Sequence, residues 1–415
     1  MQEFQTIRDR RSSLSVKWNK QAITSICGNP EAEPFWVADM DFLVAPEISD
    51  QAKSFAEHAI YGYPYAPKQK DAFCRWARIW HQMEVLPDQV VLSQGVLNSI
   101  AILLEILSKE GDGVIVPFPA YQPFVTMTEN HDRSLLPWHL SYDTEKHQFS
   151  LDWDAFENLC EKAKILIFCS PHNPSGIVFS EADLTKLCTI AKSHGITIIS
   201  DEIHADLRYD SFISLFEISK NIGCDCAVCM APSKTFNMAG EHYSLTLFHD
   251  PSLRKAYEKR MQQLFLTGNS TFAITLATAA YTSGEHWLLE LLGYLQGNLA
   301  LVEDTLQKEI PEIVLIKPHA SFITFLDCTA LLPLIEKDQE AHPELYDSKQ
   351  SPAGGLLSRF FGQRAGIAFN DGSWFGGDSY RGFVRINFGT QRSRIEQALQ
   401  RMVQAVDTLK ETYGS

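Results

Sequence analysis

Lys234 sits in Ala-Pro-Ser-Lys-Thr-Phe-Asn-Met-Ala-Gly, a loop of mostly small residues directly after a short apolar run. An amine there has room for a ligand, and it can do covalent chemistry by forming and exchanging a Schiff base with a carbonyl group. Taken alone, a loop lysine reads as a solvated surface residue. Asp201 changes that reading. It closes the apolar stretch Ile-Ile-Ser-Asp, where a buried carboxylate without a cationic partner is costly; a protonated ring nitrogen would be such a partner. Labilising the bonds at an amino acid's Cα calls for an electron sink, an exchangeable lysine, an acid facing a ring nitrogen and an anchor for a phosphate. The chain offers candidates for the remaining parts. Asn173, in Ser-Pro-His-Asn-Pro-Ser-Gly, is a turn residue by its Asn-Pro step, and its amide can also donate to a ring hydroxyl. Gly95 precedes an apolar helix over 96–107 and would leave free backbone N–H groups at a helix N-terminus, a natural phosphate seat. Tyr121, in Pro-Ala-Tyr-Gln-Pro-Phe, reads equally as a packed aromatic or as a group stacked on a ring.

These residues need a scaffold, and the middle of the chain supplies one. Lys164–Cys169 is a short apolar run of strand length. Ser180 and Asp183 then form a capping-box pair, Leu184, Leu187, Cys188 and Ala191 recur at helical spacing, and Gly195 closes the helix. Ile196–Ser200 is the next strand. This is a βαβ unit, which implies a parallel sheet covered by helices on both faces. Gly113–Val116 and Ala227–Met230 read as further strands of the same sheet. Ligands collect beyond the carboxyl ends of such strands, and Tyr121, Asn173, Asp201 and Lys234 all fall there. From about Leu301 a second domain carries strand-like runs at 313–316, 322–326 and 383–387 and a final helix over 394–410. Polar, Pro- and Gly-bearing 336–355 reads as an exposed insertion. The uncharged stretch 261–284 reads as buried helix rather than a membrane span, because Gln262, Gln263, Asn269, Ser270 and several threonines interrupt it.

The totals narrow the function further. A chain of 415 residues, 45% hydrophobic and 21% charged, suits a globular protein of two domains. Its formal charge of −15 argues against nucleic acid or an anionic membrane as a partner, so a small molecule is the expected ligand. The basic cluster Arg8, Arg10 and Arg11 is followed by polar residues rather than an apolar segment; no secretory signal is read, and a cytoplasmic location is expected. Nine cysteines, an odd number, fit reduced thiols better than a disulfide framework. Of Cys224, Cys226 and Cys229, the last two fall in the strand-like run 226–230, where residues three apart point to opposite faces, so no metal site is expected.

Together, Pro119-Ala-Tyr121, Pro171-His-Asn-Pro-Ser-Gly176, Ser200-Asp-Glu-Ile-His204 and Ser233-Lys-Thr-Phe-Asn resemble the motifs of the fold-type I pyridoxal-phosphate enzymes in the class I/II aminotransferase superfamily. Within them the chain is similar to the cystathionine β-lyase or cysteine-S-conjugate β-lyase subgroup, the MalY/PatB-like C–S lyases. The likeness runs from Lys17-Trp18 and Trp36-Val-Ala-Asp-Met-Asp41 through Tyr61-Gly-Tyr63 to Phe383-Val-Arg-Ile-Asn387. It implies an α/β fold in which a mostly parallel seven-stranded sheet lies between helices in a large domain (48–287). A smaller α+β domain (288–415) and an N-terminal arm (1–47) would complete it.

The resemblance makes Lys234 the Schiff-base lysine and general base, and Asp201 the partner of the pyridine nitrogen. Asn173 would meet the ring hydroxyl, Tyr121 would stack on the ring, and His204 would stand beside the cofactor. Gly95, Val96, Leu97 and Ser233 would hold the phosphate, with Tyr63 reaching it from the second subunit of a homodimer. Arg385 would clamp the substrate carboxylate, with Asn173, Asp39 and Met40 also on the substrate side. The activity implied is β-elimination from cystathionine, cysteine or a cysteine S-conjugate, giving a thiol, pyruvate and ammonia. Transamination of a small amino acid is the alternative, and a cofactor-binding regulatory protein a third. Aminotransferases of this fold usually carry a tyrosine at the position of His204 and an arginine at that of His242. Two stretches depart from the lyases: Ala-Gly-Glu241-His242, where they continue Ala-Gly-Leu-Gln, and Asn387-Phe-Gly-Thr-Gln-Arg392, where they have a Cys-Pro-Arg form.

Overall fold

Strand Lys164–Cys169 of the sequence reading is an inner strand of a seven-stranded sheet in the computed structural model, which describes residues 4–347 and 351–414. Its strands are β1 (Val90–Ser93), β2 (Gly113–Phe118), β3 (Ser134–His139), β4 (Ala163–Cys169), β5 (Thr197–Asp201), β6 (Cys226–Met230) and β7 (Ser244–Phe248), arranged in the order β1-β7-β6-β5-β4-β2-β3. Neighbours from β3 through β6 are parallel, whereas β7 runs antiparallel to both β1 and β6. β2, β4 and β6 are apolar and buried almost throughout, as strands covered on both faces must be.

The helices that matter for the site are α1 (Gln69–His81), α2 (Val96–Leu107) and α3 (Glu181–Ser193). α3 starts on the expected capping box: the Ser180 side chain accepts from Asp183 N at 3.1 Å, and Ser180 N donates to Asp183 Oδ2 at 3.2 Å. Such a cap stabilises a helix by about 1 kcal/mol. α2 packs its apolar face against β5, β6 and β7, with Gly95 as its N-terminal flanking residue and no side chain capping it.

The second sheet contains β8 (Val314–Leu315), β9 (Ile323–Asp327), β10 (Asn370–Asp371) and β11 (Phe383–Asn387), in the antiparallel order β8-β9-β11-β10. The loop 171–176 joins it to the large sheet. His319 N and Ala320 N both donate to Gly176 O, at 2.9 and 3.1 Å. Gly176 has φ +70°, and a Cβ there would lie 2.5 Å from Pro318 Cβ, so this close approach requires glycine.

Two expectations need refinement. The first half of 336–355 is largely exposed, as expected, but it begins in a helix and is anchored at two buried side chains rather than being a free insertion. Leu332–Ala341 is a helix, Asp338 is buried and bonded to Arg364 at 2.7 Å, and Tyr346 is buried; residues 348–350 lie outside the described residues. The stretch 261–284 is two helical pieces rather than one. The helix Pro251–Gln263 ends before Phe265, an exposed residue at φ 56°, and a new helix Thr271–Ser283 starts on the Ser270 side chain and carries the buried residues. Among the described residues no helix is long and apolar enough to cross a membrane.

Candidate active site

At the carboxyl edge of the large sheet a cavity of about 290 Å³ is lined by Gly95, Val96, Leu97, Tyr121, Asn173, Asp201, His204, Ser233 and Lys234, along with Ala38, Cys169 and His242. β7 runs against its neighbours, so its N-terminal end meets the carboxyl ends of β1 and β6 here. Residues drawn from 38 to 243 therefore converge at one edge.

Lys234 lies in a one-turn helix, Pro232–Thr235, just past β6. Its Nζ donates to Ala38 O at 2.6 Å. Burial drives the amine down to about 8, with Arg385 adding to the fall and Asp39 and Asp201 opposing it. An amine with that pKa has a sizeable neutral fraction near neutrality, as a nucleophile or base needs.

Asp201 ends β5 with 4% of its surface exposed. Its Oδ1 accepts from Ile203 N at 3.0 Å, its one hydrogen bond among the described residues. Burial raises its carboxyl to about 6, against the pull of Ile203 N–H and Lys234. A carboxylate that is buried, under-satisfied and open to a cavity is one built to face a cation supplied from outside the chain.

Asn173 and Arg385 act together. Arg385 Nη1 donates to Asn173 Oδ1 at 3.0 Å, and Nη2 donates to Trp36 O at 2.6 Å and Asn370 Oδ1 at 2.8 Å; the guanidinium also lies 5.0 Å over the Phe375 ring. Because Asn173 Oδ1 is taken, its NH2 remains as the donor available to the cavity. Arg385 is 3% exposed, and its Nε has no partner. Every oxygen it contacts is neutral, and burial lowers it to about 10. A buried guanidinium without an anion among the described residues calls for a carboxylate ligand, which its fork binds in bidentate fashion.

His204 is held neutral. Burial, with Lys234 and Arg385 nearby, pushes its pKa well down, and its Nδ1 shares a 2.9 Å hydrogen bond with Ser321 Oγ. Tyr121 flanks the cavity with its ring edge-on to Phe124, its hydroxyl raised by burial. Val96 and Leu97 open α2, so their N–H groups have no partner within the helix, while Gly95 N donates to Ser244 Oγ at 3.1 Å.

Asp39, Met40 and Tyr63 do not line this cavity, although Asp39 stands close enough to act on the Lys234 charge. Asp39 receives two hydrogen bonds from Arg10, at 2.8 and 3.2 Å, and Met40 is buried in the core. Tyr63 is fully exposed in an extended stretch between helices.

Sequence reasoning missed two supports. One is the Ala38 carbonyl, placed by a buried cluster in which Lys17, Trp18 and Arg10 all bond Asp41, at 2.7, 2.8 and 2.7 Å. The other is Asp206. It accepts from Thr235 Oγ1 at 2.7 Å and Trp76 Nε1 at 2.8 Å, and it bonds His81 Nε2 at 2.7 Å. Burial alone would raise this carboxyl; the bonds from His81, Trp76 and Thr235 instead hold it below its ordinary value. Asp206 thereby fixes the turn that carries Lys234. A buried acid soon after Asp201 was a signal available in the sequence, but its partners on α1 were not.

An α/β chain with an amine, an acid and an uncapped helix at one edge of a mostly parallel sheet is the architecture of the class I and II aminotransferases. The chain belongs to that family: the model described as "Aminotransferase class I and II" matches residues 37–402. It is 32% identical to the cystathionine beta-lyase PatB of Bacillus subtilis, across 97% of this chain and 99% of that one. Cystalysin from Treponema denticola, whose crystal structure contains a pyridoxal 5'-phosphate cofactor, superposes with a TM-score of 0.87 at 27% identity and covers 99% of this chain and all of its own. A pyridoxal-phosphate-bound C–S lyase from Staphylococcus hominis matches with a TM-score of 0.84 at 25% identity, over 97% of both chains.

Proposed function

We propose that the protein is a pyridoxal 5'-phosphate-dependent C–S β-lyase that cleaves cystathionine, cysteine or cysteine S-conjugates to a thiol, pyruvate and ammonia. The observation that carries this reading is the pairing of Lys234, an amine lowered to about 8, with Asp201, a buried carboxylate with a single internal hydrogen bond, in one cavity. Two relatives matched at full length are named a cystathionine beta-lyase and a C–S lyase, which supports this reading.

The residues fit the cofactor. Lys234 would anchor it covalently, Asp201 would pair with the ring nitrogen, and the free NH2 of Asn173 would meet the ring hydroxyl. Tyr121 would cover one face of the ring, with His204 as a neutral neighbour. The N–H groups at Val96 and Leu97, together with Ser233, would receive the phosphate, and Gly95, whose own N–H is taken by Ser244, would leave room for it. When bound, the cofactor supplies an electron sink for the pair left at Cα. Arg385 would hold the substrate carboxylate and so fix the Cα–H bond relative to Lys234, with Asp39 and Met40 shaping that side. Lys234 Nζ would take the Cα proton and hold it while the thiolate leaves the β-carbon. Tyr63 would complete the phosphate site of a second copy in a homodimer.

Borohydride reduction of the yellow protein should label Lys234, and incubation with cystathionine should release pyruvate and a thiol in equal amounts. Labelling with keto-acid formation from an amino donor, and no thiol from any of the three substrate types, would replace elimination with transamination.

A further inference from the structure

A groove of about 720 Å³ adjoins the cofactor cavity, and Leu97 and Asn98, on the first turn of α2, line both. It runs between the helix Gln122–Asn130 and the turn Gly372–Phe375. The roles assigned above leave it without a use. Its near end lies on the side proposed for the substrate carboxylate. Gln122 follows Tyr121, and Trp374 precedes Phe375, whose ring lies 5.0 Å from the Arg385 guanidinium. Ala120 N donates to Phe375 O at 2.7 Å, which ties the two walls together, and the Trp374 and Phe375 ring centroids are 5.0 Å apart.

The walls have a definite chemistry. Among the described residues they hold no Asp, Glu, Lys or Arg. Their polar groups are neutral amides and hydroxyls, Gln122, Asn98 and Thr126 among them, beside Met127 and the half-buried Trp374. The titratable side chain on them, His131, has Nδ1 turned back to Met127 O at 2.8 Å. An ammonium or carboxylate entering such a groove gives up water and meets no counter-charge, whereas an apolar chain gains contact with Met127 and Trp374. When a cysteine S-conjugate has its carboxylate on Arg385 and its Cα–H facing Lys234, the substituent on sulfur is the part left to extend out of the cavity.

We infer that this groove takes the substituent on sulfur and selects an uncharged, apolar one. The preferred substrate is then an alkyl or benzyl cysteine S-conjugate rather than cystathionine, whose distal end bears an ammonium and a carboxylate. This rests on the lyase reading above.

The test compares, on the holoenzyme, kcat/KM for pyruvate release from cystathionine and from S-isopentylcysteine, in which methyl groups replace the distal ammonium and carboxylate. Both release an unhindered alkyl thiolate, so the leaving group is matched. The uncharged substrate should be preferred at least about tenfold, the discrimination that one or two buried methyl groups supply. Trp374→Ala should bring that preference to within about threefold by removing the apolar wall. Gln122→Arg puts a cation in the groove for the distal carboxylate and should lower the preference about tenfold. Each readout is a ratio, so a loss of active enzyme cancels. Gln122 is half-exposed at the start of its helix, so arginine there has solvent at hand, and Gln122→Arg decides alone if Trp374→Ala fails to fold. Equal or greater kcat/KM for cystathionine in the parent would overturn the inference, as would a ratio that Gln122→Arg leaves within about twofold of the parent. No pyruvate from either substrate or from cysteine would instead remove the lyase reading, and this inference with it.

Discussion

At the scale of single residues the site is built from groups whose burial is uncompensated. Asp201 illustrates what this costs the empty protein. Its carboxyl rises from the usual 3.8 to about 6, so the folded chain binds a proton more tightly than the unfolded one. Stability from this group is therefore present below pH 4 and is lost as pH rises through 6. By pH 7 the loss is about 3 kcal/mol. Asp201→Asn keeps an oxygen for Ile203 N–H and carries no charge. Stripped of cofactor, this variant should melt above the stripped parent at pH 7.5, and the gap should close near pH 4; scanning calorimetry at the two pH values reads it. With cofactor the order reverses for function, and turnover should fall at least about a hundredfold if Asp201 is, as proposed, the electrostatic partner of the ring nitrogen. Arg385 follows the same logic with the opposite charge. Arg385→Lys keeps the cation but loses the fork that spans Asn173, Trp36 and Asn370, so KM for an amino-acid substrate should rise at least about tenfold while the Lys234 label survives. An unchanged KM would take Arg385 out of substrate binding.

At the scale of elements, the question is what keeps the Lys234 turn in place. Pro232–Thr235 is one helical turn, too short to hold itself, and the bond from Thr235 Oγ1 to Asp206 Oδ2 ties it to a carboxylate that α1 also holds. Thr235→Val is near-isosteric and removes that donor inside the core. The unloaded protein should lose about 1–3 kcal/mol, seen as a lower denaturant midpoint at unchanged slope. The same elements show what a sequence can disclose. β4, α3 and β5 were legible because their signals are local: an apolar run, a capping pair, a closing glycine. Asp201 and Lys234 were legible because strand ends direct attention to the residues beyond them. The Asp206 anchor was not, since His81 lies 125 positions from its partner. The anchoring of the stretch 336–355 was missed for a related reason. Asp338 reads as solvent-seeking until Arg364, 26 positions on, is folded against it.

At the scale of the whole molecule, the cavity of a single chain has every group proposed for the cofactor except Tyr63. That residue stands fully exposed with Ile60, Tyr61 and Tyr65 around it on an extended stretch, which the Thr271 side chain holds at Gly62 O, 2.9 Å away. Four large apolar side chains in solvent on one segment suit an interface better than a free surface. If Tyr63 serves the partner's site, the two defects Lys234→Ala and Tyr63→Ala should complement each other. Neither homodimer holds an intact site. A mixed dimer, however, unites Lys234 of one copy with Tyr63 of the other, and so has one intact site of its two. Random pairing at equal expression makes half of all dimers mixed, so co-expressed variants should recover about one quarter of parental β-elimination. Light scattering should give about twice the 46.8 kDa of one chain. If each chain instead supplied its own Tyr63, the mixed dimer would have one site lacking the lysine and one lacking the tyrosine, and co-expression would recover nothing. The yield of that mixture thus decides whether the site belongs to one chain or to two.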